Sequence, residues 1–116
     1  CYLPFFTATS WNGAATACGA IGAHLAAFTS SQEYVTVVSN INKAAMDDLW
    51  IGLREVNNDG YAWVTQEPLN YKAWASGEPK AANGCVRLGP KTGGWFAGIC
   101  AVNRDYLCER PVPGKP

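Results

Sequence analysis

Near the middle of the chain stands an unbroken apolar run, Leu49-Trp50-Ile51-Gly52-Leu53, with Cys18 well before it and Cys85, Cys100 and Cys108 after it. A run this short and continuous reads as a buried strand, and its glycine marks a place where another backbone comes close. The cysteines constrain the rest. Five of them in 116 residues point to an oxidising compartment, where small domains supplement a core with disulfides. Zinc is the competing use, but zinc sites favour closely spaced cysteine pairs with histidine partners. Here no two cysteines are closer than Cys100 and Cys108. The single histidine, His24, lies in an Ala- and Gly-rich apolar setting that suits a structural role. Spacing alone leaves several disulfide pairings open.

A chain of this length forms one domain, and its five Trp and five Tyr, with the aliphatic residues, suffice for a core. Formal net charge is zero, without a basic stripe or an acidic tail. That argues against nucleic acid and against a membrane surface as partners. The apolar runs are far too short for membrane insertion. No signal peptide stands at the start, and a chain opening on Cys1 reads as a piece of something longer. Residues 110–116 have the composition of a linker. The expected organisation is therefore a domain over 1–109 and a C-terminal linker over 110–116, flanked by further extracellular modules.

Tyr2 to Thr7 reads as a first strand, with Pro4 suited to a sheet edge. Ser10 is an N-cap for a helix through Cys18, although Gly13 and Thr16 weaken it. Ser30 and Glu33 form a capping box, after which Tyr34, Val37, Val38 and Ile41 repeat at helical spacing. This second helix should stop near Asn42-Lys43. Asn57-Asn58-Asp59-Gly60 is a turn between the Leu49 strand and a strand over Tyr61–Val64. From Thr65 to Gly84 the periodicity is lost, and loops of that length in a small domain are often functional. Strand runs resume at Cys85–Leu88, Trp95–Ala97 and Tyr106–Glu109. Two helices followed by short strands indicate an α+β domain with a mostly antiparallel sheet.

Several motifs follow in a fixed order. Trp11-x-x-Ala14-x-x-x-Cys18 leads to Gly22-Ala23-His24-Leu25-Ala26 and then to the Leu49 run. Pro68-Leu69-x-Tyr71-x-x-Trp74, Gly77-Glu78-Pro79, Cys85-Val86-x-Leu88, Gly94-Trp95 and Tyr106-Leu107-Cys108-Glu109 complete the set. In that order the chain resembles the C-type lectin-like domain, from Cys1 to about Glu109. A fainter likeness, to the lectin domain of polycystin-1, rests on Glu78-Pro79, Cys85–Pro90 and Gly94-Trp95. The main resemblance implies two helices flanking a small twisted sheet, with a long irregular loop that carries the ligand site. It also implies disulfides Cys18–Cys108 and Cys85–Cys100, leaving Cys1 outside both. Trp50, Trp63 and Trp95 match its framework positions and are expected in the core.

Catalysis finds little support. There is no nucleophile elbow, zinc-protease helix or phosphate loop, and Asp47, Asp48, Glu55, Asp59, Glu67 and Glu78 are scattered. No catalytic residue is assigned, and the expectation is a protein that is not an enzyme. Calcium is the sharper question. Sugar-binding members of the family hold Ca²⁺ with Glu-Pro-Asn or Gln-Pro-Asp, an acid before the Cys-Val pair, and Trp-Asn-Asp. On this chain Glu78 and Pro79 keep the first two positions, but Lys80 replaces the amide or acid. Gly84 or Asn83 takes the next position, and Trp95-Phe96-Ala97 the last. Ca²⁺ needs six to eight oxygens, and an ammonium repels it. The usual sugar-linked calcium site is therefore expected to be absent, with no metal ligand and no cofactor assigned. Asn57, Asp59 and Glu67 are a weaker option for a structural cation.

The candidate ligand-binding residues are Tyr71, Trp74, Glu78, Lys80, Asn83, Arg87 and Phe96. Lys80 and Arg87 offer charge, Asn83 offers donor and acceptor, and the aromatic residues offer apolar area. Glu78 with Lys80 also fits a surface ion pair, and Phe96 also fits core filler. The reading is an extracellular recognition module, secreted or part of an ectodomain, that binds a protein or glycan without calcium. The alternatives are a carbohydrate-binding lectin with a rearranged or calcium-dependent site and, from another class, a structural or surface-active extracellular protein.

Overall fold

A computed structural model describes residues 2–41, 48–56, 60–67, 69, 71–75, 77–78, 84–89 and 94–110. Along the chain run β1 (Tyr2–Thr9), α1 (Trp11–Ala20), β2 (His24–Leu25), α2 (Ser31–Ile41), β3 (Leu49–Glu55), β4 (Tyr61–Trp63), β5 (Cys85–Leu88), β6 (Trp95–Gly98) and β7 (Arg104–Glu109). One sheet orders them β1-β7-β3-β5-β6, with β2 paired to β7 and β4 to β3. All pairs are antiparallel except β3 with β7, where Leu49 lies opposite Asp105 and Trp50 opposite Tyr106. The α+β class with a mostly antiparallel sheet is what the sequence predicts.

The local signals explain most boundaries. Ser10 caps α1 by accepting from Gly13 N–H at 3.1 Å, and the helix runs two residues past Cys18. Ser30 caps α2 by accepting from Glu33 N–H at 3.2 Å. The return bond of the expected capping box is shifted by one residue, because the Glu33 carboxylate accepts from Thr29 N–H at 2.9 Å. β1 continues to Thr9, β6 to Gly98, and β7 begins at Arg104, each longer than expected. β4 stops at Trp63, one residue short of expectation. β2 was not anticipated at all, since two residues carry no readable period.

Gly52 plays the part its place in the run suggests. A Cβ there would come within 2.7 Å of Leu25 O and 3.0 Å of Ala26 O, so only glycine lets the β2 segment cross so close. Gly52 N–H donates to Ala26 O at 2.7 Å, and Gly52 O accepts from Val64 N–H at 2.8 Å.

Strand alternation sorts the side chains into two clusters on opposite faces of the sheet. Trp11, Ala14, Cys18, Leu25, Trp50, Cys85, Tyr106 and Cys108 pack together beside α1. Phe28, Tyr34, Val37, Leu49, Ile51, Leu53, Trp63, Val86, Leu88, Trp95 and Leu107 pack on the other face, beside α2 and the long loop. Disulfides join Cys18 to Cys108 and Cys85 to Cys100. Cys1 lies outside the described residues.

Candidate ligand-binding site

The long loop is anchored where β6 begins. Trp95 N–H donates to Ala73 O at 2.8 Å and Ala75 N–H donates to Trp95 O at 3.0 Å, extending the sheet by one short parallel bridge at Trp74. Gly94, with φ +101°, passes so near Ala75 that a Cβ would sit 3.1 Å from its backbone. Its N–H donates to the Tyr34 hydroxyl at 2.8 Å. Burial pushes the Tyr34 phenol up from its ordinary pKa, and the Gly94 bond works against that rise.

Beneath this anchor lies an aromatic floor. The Trp95 ring is met by Phe28, Tyr34, Trp63, Tyr71 and Trp74 at centroid distances of 5.2–6.4 Å. Tyr71 and Trp74, expected as contact residues, are thus half-buried pieces of that floor, and Trp74 also meets Tyr61 edge-on at 5.0 Å. The indole N–H groups of Trp63 and Trp95 are buried without a partner among the described residues.

Glu78 follows at the loop's exit. Its carboxylate accepts from Ala97 N–H at 2.9 Å, at one of the positions where the resemblance expects a calcium ligand. Phe96 and Ala97 supply no side-chain oxygen. Among the described residues no group of three His, Cys, Asp or Glu is placed to hold a metal ion. This stretch offers, among the described residues, one side-chain carboxylate, Glu78, where Ca²⁺ takes six to eight oxygens. Lys80 and Asn83 lie outside the described residues, as do Asn57 and Asp59 of the alternative cation set. Glu67 of that set accepts instead from the Thr65 hydroxyl at 2.7 Å.

Arg87 and Phe96 make no hydrogen bond, ion pair or ring contact with the described loop residues. They stand opposite each other on β5 and β6, on the α1 face, with the guanidinium 5.0 Å from the Phe96 ring centroid. Arg87 Nε donates to Asp48 Oδ2 at 2.7 Å, and Arg104 Nη1 approaches the same oxygen at 4.0 Å. Arg104 lies over the Trp50 ring at 5.4 Å. Burial and the neighbouring Arg87 lower the Arg104 pKa from its ordinary value, with Asp48 opposing. Beside this row opens a cleft of about 410 Å³ lined by Ala8, Asp48, Asn103, Arg104 and Asp105. The sheet therefore divides the predicted residues. Tyr71, Trp74 and Glu78 gather at the loop end; Arg87 and Phe96 sit behind it.

Sequence reasoning missed Asn103 and Arg104, and took Asp48 as one scattered acid. A signal was present: Arg104 alternates with Tyr106 and Cys108, which places it on the disulfide side of β7.

Comparisons with known proteins agree with this geometry. The family described as the Lectin C-type domain matches residues 7–110. Lectin BRA-3 of Megabalanus rosa is 30% identical over the whole of this chain and 74% of its own length. Human C-type mannose receptor 2 is 30% identical over 95% of the chain, which spans only 8% of that receptor. Human lithostathine superposes with a TM-score of 0.88 at 25% identity, covering 97% of this chain and 83% of that one. The C-type lectin domain of murine dendritic cell inhibitory receptor 2, solved with an N-glycan, gives 0.82 at 30% identity, over 93% of this chain and 88% of its own. The fainter likeness to polycystin-1 gains no support from these matches.

Proposed function

This chain belongs to the C-type lectin domain family, and we propose that it is a recognition module whose loop end binds its ligand without calcium. Family and fold make it a binding module of the lectin type. The observation that carries the calcium-free reading is the bond from Ala97 N–H to Glu78. It occupies the one carboxylate that survives from the family's sugar-linked calcium set, while Phe96 and Ala97 remove two further ligands. Lys80 adds a positive charge to the same segment, which disfavours a divalent cation there.

In this reading Tyr71 and Trp74 form the floor with Glu78 beside it, and Lys80 and Asn83, on the sequence alone, remain candidate contact residues of the same loop. Arg87 and Phe96 hold the reverse side of the same strand pair. The ligand is a glycan or a protein surface. A glycan is supported by the N-glycan complex of the murine relative. An extracellular setting is supported by the two disulfides.

A glycan array probed with and without a chelator tests the proposal, together with calorimetric titration of calcium. Bound signals should be the same in both conditions and reduced by Lys80→Ala. Signals abolished by chelation and restored by calcium, with tight calcium binding lost in Glu78→Gln, would overturn it.

A further inference from the structure

We propose that the cleft bordered by Asp48, Asn103 and Arg104 is a second, metal-free binding site, for a neutral polyhydroxyl ligand of one or two sugar rings. Its volume of about 410 Å³ suits a small ligand. It lies at the end of the sheet where β3 and β7 begin, and none of its lining residues belongs to the loop anchor at Trp95.

Arg104 Nε is buried without a partner among the described residues. Its Nη1 stands 4.0 Å from Asp48, too far for a hydrogen bond. Asp48 uses Oδ2 for Arg87, and its Oδ1 has no partner among the described residues. Nε itself is sealed from solvent, so a ligand in the cleft would meet the Nη end of the Arg104 guanidinium, whose side chain is 26% exposed, beside the Asp48 carboxylate and the donor and acceptor of the Asn103 amide.

Charge then selects the ligand. Among the described residues Arg87 and Arg104 balance Asp48 and Asp105. An oxyanion reaching Arg104 would face two carboxylates, and a cation reaching Asp48 would face two guanidiniums. A hydroxyl accepts from one group and donates to the other, so adjacent hydroxyls on a ring match this alternation without a charge penalty. The groups are also held in place before any ligand arrives: Arg104 rests on Trp50 at 5.4 Å and Asp48 is fixed by Arg87 at 2.7 Å. Such preorganisation lowers the ordering cost of binding.

Amide-correlation NMR of the intact chain in EDTA tests the site, titrated with methyl α-mannoside, methyl β-galactoside and methyl β-N-acetylglucosaminide, and separately with sodium acetate. At least one glycoside should shift the amides of Asn103, Arg104 and Asp105 and the Trp50 indole in a saturable way. Asn103→Ala and Arg104→Gln should each weaken it by about fivefold or more, the scale of one ordinary hydrogen bond. Asn103 is exposed, so its variant keeps the test intact if the Arg104 variant folds poorly. The proposal fails if no glycoside moves these amides, if well-folded Asn103→Ala binds as the parent does, or if acetate moves them more than any glycoside. Shifts at Tyr71, Trp74 and Glu78 report on the loop end separately, so either site can fail without the other.

Discussion

On the α1 face both disulfides border the core around Trp50, and the buried indoles have partners: Trp50 Nε1 donates to Thr9 O at 2.9 Å, Trp11 Nε1 to Ile51 O at 2.8 Å. On the loop face the cluster contains no cysteine among the described residues, and the indoles of Trp63 and Trp95 donate to nothing there. One face is held by disulfides and indole hydrogen bonds, the other chiefly by interlocked rings, with side-chain bonds at Tyr34 and Glu109 at its margin. Directional bonds fix strand positions, which suits a face where Asp48, Arg87 and Arg104 are set against each other in one row. Ring packing is less particular about the chain above it, which suits a face roofed by a long loop. The difference also indicates where change is tolerated: in the loop above the rings, and not in the strands below α1.

The largest test of this contrast is covalent. In the chain-entropy picture, opening a loop with the 90-residue separation of Cys18 and Cys108 costs about 4–5 kcal/mol, and opening the 15-residue separation of Cys85 and Cys100 costs about 3. Urea unfolding of Cys18→Ala/Cys108→Ala and of Cys85→Ala/Cys100→Ala should reproduce that order. A larger loss from the second pair would mean that local strand geometry, and not loop closure, sets the stability of the α1 face.

Gly52→Ala probes the seam between the faces. Leu25 belongs to the α1 cluster and Ala26 to the loop cluster, and both carbonyls crowd the missing Cβ. Backbone cannot step aside as a side-chain tip can, so the variant should lose about 1–3 kcal/mol, read from denaturant midpoints. A neutral result would show that the β2 crossing has room to shift.

How the two faces arise was only partly legible in the chain. The four framework cysteines, the glycine of the Leu49 run and the Ser30 cap each announce a local or covalent requirement that few other residues meet. Period-two alternation also groups Arg87 with Cys85 and against Val86 and Leu88. What it does not say is which face the long loop will cover, because Thr65–Gly84 has no period of its own. Arg87 and Phe96 were therefore grouped with Tyr71 and Trp74, although the sheet lies between them. The single-oxygen meeting of Arg87 and Arg104 at Asp48 was hidden for a related reason. It joins side chains from three segments through a parallel pairing of β3 with β7, and nothing in the spacing of charges marks such a pair.

A smaller effect separates the indoles. Trp50→Phe removes a donor and leaves Thr9 O without its bond, whereas Trp95→Phe removes a donor that has no partner among the described residues. Both lose ring area. The α1-face variant should therefore be the less stable of the two by about 1–2 kcal/mol, the worth of one buried hydrogen bond. Matched thermal melts would decide it, and equal losses would mean that packing, not the donor, governs the α1 face.

The smallest expected effect lies at the edge of the loop face, where Glu109 accepts from Ala27 N–H at 3.1 Å and neighbours Tyr2, His24 and Glu33. Burial is the main cause that raises the Glu109 pKa, helped by Glu33 and opposed by the Ala27 bond and His24. The same burial, with Glu109 and Glu33 beside it, raises the Tyr2 phenol. A carboxyl whose folded pKa lies above its unfolded value binds protons more tightly when folded. Its stabilising contribution is complete below the unfolded pKa and is lost as pH rises through the folded one. Glu109→Gln keeps an oxygen for Ala27 N–H but has no charge to desolvate. At neutral pH it should match or slightly exceed the parent in melting temperature, and between pH 7 and pH 5 it should lack the parent's gain from this group. Melts of both proteins at those two pH values measure the difference. If the variant melts lower at pH 7 and keeps the parent's slope, then the charge itself holds the Ala27 turn, and the loop face relies on a directional ionic bond after all.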